Sequence, residues 1–194
     1  MYYVFTAAIT EWNKKTLQAE IEEYSGLHLQ YQRLWWYGEP LELPTPNFIF
    51  TIEENAPKLD NYWTGNLFNL YSDKLVAIFR SINVRFETFE ATIIGRNSGK
   101  KLPLAYKVFR LLEIEDAIDE ERSSYQQFAY KNIDIEEIER LVLNDGFLST
   151  NKPFTRVLRH EHLTIIHHDI KQLLDSQRIT GCMYTPIEKY STLS

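Results

Sequence analysis

The chain has 194 residues, of which 44% are hydrophobic and 25% are charged, and its formal net charge is −6. This length and composition are typical of one globular domain with its own hydrophobic core. The acidic balance argues against general affinity for nucleic acid or an anionic membrane, because those partners require clustered Lys and Arg. It is compatible with a basic protein partner.

Cysteine usage and the N-terminal sequence bear on the compartment. Cys182 is the single cysteine, so neither an intrachain disulfide nor a thiolate zinc site is possible. The opening MYYVFTAAITEWNKK lacks the basic and long apolar regions of a signal peptide. No window approaches the ~18 apolar residues of a membrane span. We therefore expect a cytoplasmic protein.

The first half of the chain contains strand patterns and two helix patterns. YYVF and FIFTI predict strands, whereas NKKTLQAEIEEY places Leu17, Ile21 and Tyr24 on one face and predicts a helix. SDKLVAIFRSIN predicts a helix with Ser72 as its N-cap. Its apolar stripe consists of Leu75, Val76, Ile78, Phe79 and Ile82.

The second half is richer in strands. VRFETFEATIIG and LAYKVFRLLEI predict an antiparallel pair joined by the turn RNSGKKLP, with a bulge or bend near Glu87, because the apolar parity shifts between Phe86 and Phe89. IERLVLN predicts a strand that ends in hairpin-type turn chemistry at NDG. FTRVLRH and HLTIIHH predict a further pair, DIKQLLDSQ a helix and ITGCMYTPI the last strand. These elements indicate an α+β fold, a single domain over 1–194, with a largely antiparallel sheet and two to three helices.

Four of the five histidines fall in LRHEHLTIIHHDI, which raises the question of a metal site. A site would need His160 and His162 together with His167 or His168, and perhaps the Asp169 carboxylate. An extended strand separates the two pairs by ~15 Å or more, which is too far for one coordination sphere. We predict turn histidines at one end, helix-entry histidines at the other, and no metal.

Acidic residues are concentrated between Glu113 and Glu139. Ten acidic side chains there face only Arg122 and Lys131, a local balance of −8. Three interpretations stay open: a solvated surface, a carboxylate pair for glycoside-type hydrolysis, and a patch that docks a basic protein. Aromatic residues for such a patch are Tyr125, Phe128 and Tyr130. The acidic residues are Glu113, Glu115, Asp116, Asp119, Glu120, Glu121, Asp134, Glu136, Glu137 and Glu139.

The familiar catalytic signatures do not occur in the sequence. There is no G-x-G-x-x-G, no Walker loop, no G-x-S-x-G elbow and no H-E-x-x-H. This removes the commonest nucleotide-binding and hydrolase interpretations, and we expect no cofactor. A second aromatic cluster, Trp35 to Tyr37, precedes a proline-rich loop, and we interpret it as core, with a partner-binding patch as the alternative.

The order of several motifs resembles that of a known family. YSDKLVAIFRSINVRFETFEATI is followed by YKVFRLLEIEDAIDEERSSY, IERLVL, PFTRVL and LTIIHHDIKQLLDSQRITGCMYTP. This order is similar to that of immunity proteins of bacterial polymorphic toxin systems, of the myxobacterial and Bacteroidetes type. The resemblance covers 60–187 as a family-like core, and 1–60 is a divergent N-terminal part. It rests on Ser72, Asp116, Asp119, Ser123 or Ser124, Gly181 and Pro186.

The resemblance implies a non-enzymatic protein that binds and neutralises a cognate toxin domain. The alternative is a small carboxylate-dependent hydrolase. In the first case we expect a basic protein partner, no nucleic acid and no membrane, with homo-oligomerisation left open. Asp119 and Gly181 are expected to serve structure, one tying a turn and the other permitting a strained backbone. The expected partner-binding residues are Asp116, Glu120, Glu121, Tyr125 and Trp36.

Overall fold

A computed structural model describes residues 1–8, 19–25, 40, 47–64, 68–128 and 131–193. Strands dominate this part of the chain, and three α-helices and one 3₁₀ turn accompany them. The strands are β1 Tyr2–Ala7, β2 Ala19–Ser25, β3 Asn47–Ile52, β4 Asn61–Tyr62, β5 Asn69–Ser72, β6 Phe86–Gly95, β7 Tyr106–Leu111, β8 Ile114–Glu115, β9 Ser124–Phe128, β10 Lys131–Arg140, β11 Phe154–Val157, β12 His160–His167 and β13 Cys182–Pro186. The helices are α1 Asp73–Ser81, α2 Asp145–Thr150 and α3 His168–Ser176, and the 3₁₀ turn is Ile187–Lys189.

The chain divides into two compact units. The central unit consists of Ala7–Leu112 and Ser176–Cys182. The terminal unit combines Met1–Thr6, Glu113–Asp175 and Met183–Ser194. This division describes compactness and does not measure independent folding, so the single domain expected from the sequence stays a prediction.

The central unit is built on a six-stranded sheet. Its strand order is β2-β3-β6-β7-β5-β4, and only the β3–β6 pair is parallel among its pairs. The sheet buries aromatic and aliphatic side chains that include Phe48, Phe50 and Val108. Burial of such side chains from water is the main force that stabilises the unit.

Helix α1 of the central unit forms where the sequence predicts it. The Ser72 hydroxyl accepts a hydrogen bond from the Leu75 N–H at 3.2 Å, which satisfies one of the unpaired donors of the first turn. Leu75, Val76 and Phe79 are buried, so the apolar stripe faces the core as expected. Its outer members, Ile78 and Ile82, are only partly buried.

The terminal unit contains two sheets. One has the order β13-β1-β12-β11-β8, in which β12 pairs antiparallel with β1 and β11, and β8 pairs parallel with β11. The other is the two-stranded antiparallel sheet of β9 and β10. Their shared core contains Val4, Ile138, Val157, Leu163 and Ile165. The chain is therefore α+β with mostly antiparallel strand pairs, and the predicted fold class is confirmed.

Three local predictions are wrong. The segment NKKTLQAEIEEY was expected to be helical, but Ala19–Ser25 forms β2 and pairs antiparallel with β3. Ala19 and Ile21 also satisfy a strand's two-residue period, and pairing with a buried neighbour decides between the two. The NDG segment does not form a hairpin turn, because the Asn144 side chain accepts from the Phe147 N–H at 2.7 Å and caps α2.

The third correction concerns the bulge or bend expected near Glu87: the bulge is absent, and the bend stays a prediction. Residues Phe86 to Ala91 of β6 pair one-to-one with β7, so the register is continuous there. The apolar pattern of β6 is instead interrupted by a charged residue, Glu87, that is largely covered from solvent. Glu87 lies opposite Arg110 on β7 and binds its guanidinium at 2.7 Å, and Arg110 is only 1% exposed. Burial lowers the pKa of Arg110 and the ion pair with Glu87 opposes that effect.

Candidate functional site

The histidines lie in two groups, as the sequence predicts. His160 begins β12 and His167 ends it, and His168 begins α3. The groups also have different contacts. His160 Nδ1 lies 3.0 Å from the Ile135 carbonyl oxygen, whereas His168 Nδ1 lies 3.3 Å from the Tyr3 hydroxyl. Among the described residues, no three His, Cys, Asp or Glu side chains are grouped so that they could hold a metal ion.

Asp119 organises a turn within the acidic segment between Glu113 and Glu139. The Asp119 carboxylate accepts hydrogen bonds from the Arg122 N–H at 2.8 Å and from Arg122 Nε at 2.6 Å. Its own N–H donates to the Val142 carbonyl at 2.9 Å. The hydrogen bonds from Arg122 lower the pKa of Asp119. The predicted structural role of Asp119 in tying this turn is confirmed.

Next to this turn, Asp116 and Glu120 converge on one guanidinium. Arg159 lies in the two-residue connection between β11 and β12, and its guanidinium is 2.6 Å from Glu120 and 3.8 Å from Asp116. The arginine side chain is 19% exposed, but the side chains of Asp116 and Glu120 are 64% and 58% exposed. A largely covered cation therefore forms ion pairs with two carboxylates that face the solvent, a close one with Glu120 and a longer one with Asp116. Glu121 is exposed beside them.

The structure also revises the charge of the acidic segment. Lys152 lies 3.0 Å from Glu115 and 3.8 Å from Glu113, and Arg159 neutralises part of the next pair. Both basic residues are distant in sequence, so the local balance of −8 overstates the charge of this surface. In the first part of the segment, Asp116, Glu120 and Glu121 stay exposed, and we call these three residues the acidic turn.

The aromatic residues expected at this site differ in position. Tyr125 is half-buried, lies opposite Ile138 in the β9–β10 pair and packs against the core of the terminal unit. Part of its ring therefore contributes to folding, and its role in partner binding stays a prediction. Trp36 and Tyr130 lie outside the described residues.

One exposed apolar residue at this surface escaped the sequence analysis. Leu158 is 42% exposed, and its N–H donates to the Glu115 carbonyl at 2.9 Å. The next residue, Arg159, has a left-handed φ of 70°, which turns the chain tightly into β12. Its carbonyl accepts from the Ile135 N–H at 2.9 Å. Leu158 is therefore held on a fixed backbone beside the acidic turn.

A comparison with protein-family models identifies the chain. Residues 2–189 match the model of the immunity protein family Imm11. The chain belongs to the Imm11 immunity protein family. The resemblance to immunity proteins is thereby confirmed, and the matched range includes the first sixty residues. No curated protein matches the sequence.

Two further observations concern the described part of the Imm11 protein. In the described part of the chain, no helix is long and apolar enough to cross a membrane. Hydrogen bonds hold the carboxyl pKa values of Asp60 and Asp119 below their ordinary values. A general acid for glycoside-type hydrolysis requires an upward shift, so neither group is suited to that role.

Proposed function

We propose that this Imm11 protein binds a cognate bacterial toxin domain and neutralises it by occupying the toxin surface, without catalysing a reaction. The observation that supports this most strongly is the match to the immunity family over residues 2–189. Proteins that act by binding need an accessible, specific surface rather than a pocket of reactive groups. The exposed acidic turn is such a surface.

We further propose that the toxin presents Lys or Arg side chains to the acidic turn. The close ion pair with Arg159 restricts the Glu120 side chain, so less of its freedom is lost when a partner docks. Exposed carboxylates at the rim of an interface accelerate the encounter with a basic partner and select against acidic ones. Leu158 supplies an apolar contact at the same place. The carboxylates would thus guide association, and the leucine would slow dissociation.

The cellular setting follows from this mechanism. A toxin of a polymorphic toxin system that acts inside the cell must be met there, and a chain with one cysteine can fold in a reducing compartment. We therefore place the proposed encounter in the bacterial cytoplasm. The toxin encoded by the neighbouring gene is the natural candidate partner.

Co-expression tests the proposed function. The toxin domain of the neighbouring gene is produced in cells from an inducible promoter, with or without the Imm11 protein, and survival is counted. We expect the Imm11 protein to restore growth against this toxin and not against a toxin domain from an unrelated system. Equal killing in the presence and absence of the Imm11 protein would contradict the proposal.

A further inference from the structure

Among the described residues, the two-stranded sheet of the terminal unit has one covered edge, on β10, and one edge with no paired strand, along residues 124–127 of β9. On the outer side of β10, the Ile138 N–H donates to Thr192 Oγ1 at 2.7 Å, and the Thr192 N–H donates back to the Ile138 carbonyl at 2.8 Å. The Ile135 N–H is bound by the Arg159 carbonyl. The C-terminal segment and the β11–β12 turn therefore cover β10. On the outer side of β9, no strand pairs within the described residues.

The sequence of β9 lacks the devices that normally protect such an edge. Open edges are usually blocked by Lys, by Pro or by inward-pointing charges, because unpaired N–H and C=O groups attract other strands. β9 reads SYQQF and contains no proline and no charged residue. The side chains of Gln126 and Gln127 are exposed. A two-stranded sheet is also marginal on its own and gains stability from a third strand.

The neighbouring strand β10 carries four acidic residues against Lys131 and Arg140, which pair with Phe128 and Ser124 at the two ends of β9. Glu137 lies opposite Gln126, and the Glu139 carboxylate accepts from Ser124 Oγ at 2.8 Å. Glu136 and Glu139 on β10 are exposed. The acidic turn lies just before β9 in the chain, and Arg122 between them is engaged by Asp119 and Asp145. The net charge of β10 is therefore negative even with its two cations, which favours a basic strand beside β9 over a neutral or acidic one.

We infer that β9 accepts an extended, Lys- or Arg-bearing segment of the toxin domain as a third antiparallel or parallel strand. This inference rests on the proposed function and adds its binding mode. Backbone hydrogen bonds along β9 supply the strength of binding, and Gln126 and Gln127 can donate to and accept from the incoming side chains. The flanking carboxylates supply the preference for a basic segment.

Amide hydrogen exchange tests the pairing directly. Exchange is followed in the Imm11 protein alone and in the presence of saturating toxin domain from the neighbouring gene. We expect alternate backbone amides of β9, those that point to the open edge, to exchange at least about tenfold more slowly in the complex. Saturable binding with unchanged exchange in β9 would overturn the inference and leave the proposed function standing. Absence of binding would overturn both.

Self-pairing is distinguished in the same experiment. If β9 instead pairs with a second copy of this chain, its protection appears without toxin and rises with the concentration of the Imm11 protein. That outcome would also overturn the inference, because the edge would then be occupied before the toxin arrives. We expect the exchange of β9 in the free protein to be independent of concentration.

Two matched double variants test the preference for a basic segment. Gln126→Lys with Gln127→Lys adds positive charge to the edge, and Gln126→Glu with Gln127→Glu adds negative charge at the same positions. We expect the Kd of the lysine pair for the toxin domain to exceed that of the glutamate pair by about tenfold or more, because both pairs lose the amide groups and only the sign of the added charge differs. Equal Kd values for the two pairs, or tighter binding by the lysine pair, would contradict the inference. Unfolding midpoints establish that both variants fold.

Discussion

At the scale of single residues, Asp60 joins two distant segments of the central unit. Its carboxylate accepts from Ser72 Oγ at 2.7 Å, from the Thr180 N–H at 2.9 Å and from Thr180 Oγ1 at 3.0 Å. Burial alone would raise the pKa of Asp60, but these hydrogen bonds outweigh it, and the pKa lies below its ordinary value. The ionised carboxylate therefore fixes the N-cap residue of α1 to the turn that precedes β13.

Replacing this carboxylate gives the first prediction. Asp60→Asn should lower the free energy of unfolding at neutral pH by about 1–2 kcal/mol, because an amide has one acceptor oxygen where the carboxylate has two. The lowered pKa means that the contribution is complete above the unfolded value of about 3.9 and is lost as pH falls below it. Urea unfolding should therefore show the gap between wild type and Asp60→Asn closing below about pH 4. A gap that widens on acidification would contradict this account, and Glu188→Gln is the exposed control.

Gly181 gives the second prediction. Its φ is +77°, and a Cβ there would collide with the Asn61 carbonyl oxygen. Gly99 has a similar φ of +65°, but nothing lies near its Cβ position. Gly99→Ala should cost about 1–2 kcal/mol from the left-handed backbone alone. Gly181→Ala should cost clearly more, measured by denaturant unfolding, and equal costs would show that the contact with Asn61 relaxes freely.

At the scale of elements, α1 is secured by its buried stripe. Phe79 is fully buried and packs against the rings of Tyr71 and Phe109, with centroid distances of 5.9 and 5.3 Å. Phe79→Ala should lower the free energy of unfolding by about 3–5 kcal/mol, because it removes a large apolar side chain and leaves a cavity. Arg80→Ala, at an exposed position of the same helix, should change it by less than about 0.5 kcal/mol. A loss below about 1 kcal/mol for Phe79→Ala would mean that the helix does not depend on this core.

The elements also show what a sequence can and cannot specify. Helix α1 was predictable because its cap and its period of 3.6 agree, and β11 and β12 because their apolar runs flank a short turn. Strand β2 was not predictable, because its apolar residues fit both a helical period and the two-residue period of a strand. Its pairing with β3 decides in favour of the strand. The position of Glu87 was not predictable for the same reason, because its partner Arg110 belongs to another strand.

At the scale of the whole molecule, the proposed binding surface could be predicted only in part from the sequence. The concentration of acidic residues was plain, and the family resemblance separated Asp119, expected to serve structure, from Asp116, expected to bind a partner. The cations that neutralise them, Lys152 and Arg159, lie more than thirty residues away in the chain, and the fold alone brings them close. A turn with an exposed leucine could not be recognised before its neighbours were known.

The acidic turn gives a prediction about association with the toxin. The triple variant Asp116→Asn, Glu120→Gln and Glu121→Gln should slow association about three- to tenfold at low salt and weaken its salt dependence. The measurement is binding kinetics at two salt concentrations, against the toxin domain of the neighbouring gene. Unchanged association would place the interface elsewhere, with Trp36→Ala as the test of the N-terminal aromatic stretch.

A second triple variant controls for net charge. It carries the same charge change at exposed carboxylates elsewhere in the terminal unit: Asp169→Asn, Asp175→Asn and Glu188→Gln. Its association rate should stay close to that of the wild type, because those residues lie outside the acidic turn. Equal slowing by the two variants would show that only the total charge matters. Unfolding curves are needed for the first variant, since Arg159 loses both of its carboxylate partners there.

Titration of toxin activity with the Imm11 protein is the measurement that tests the central claim most directly. Neutralisation by binding predicts that activity falls in proportion to added protein, reaches zero near equimolar amounts and returns when the toxin is separated from the complex. An enzyme that modifies the toxin would behave differently, because small amounts would abolish activity progressively with time. Loss of activity far below equimolar protein, or full activity at a large excess, would contradict the proposal that this protein confers immunity by binding.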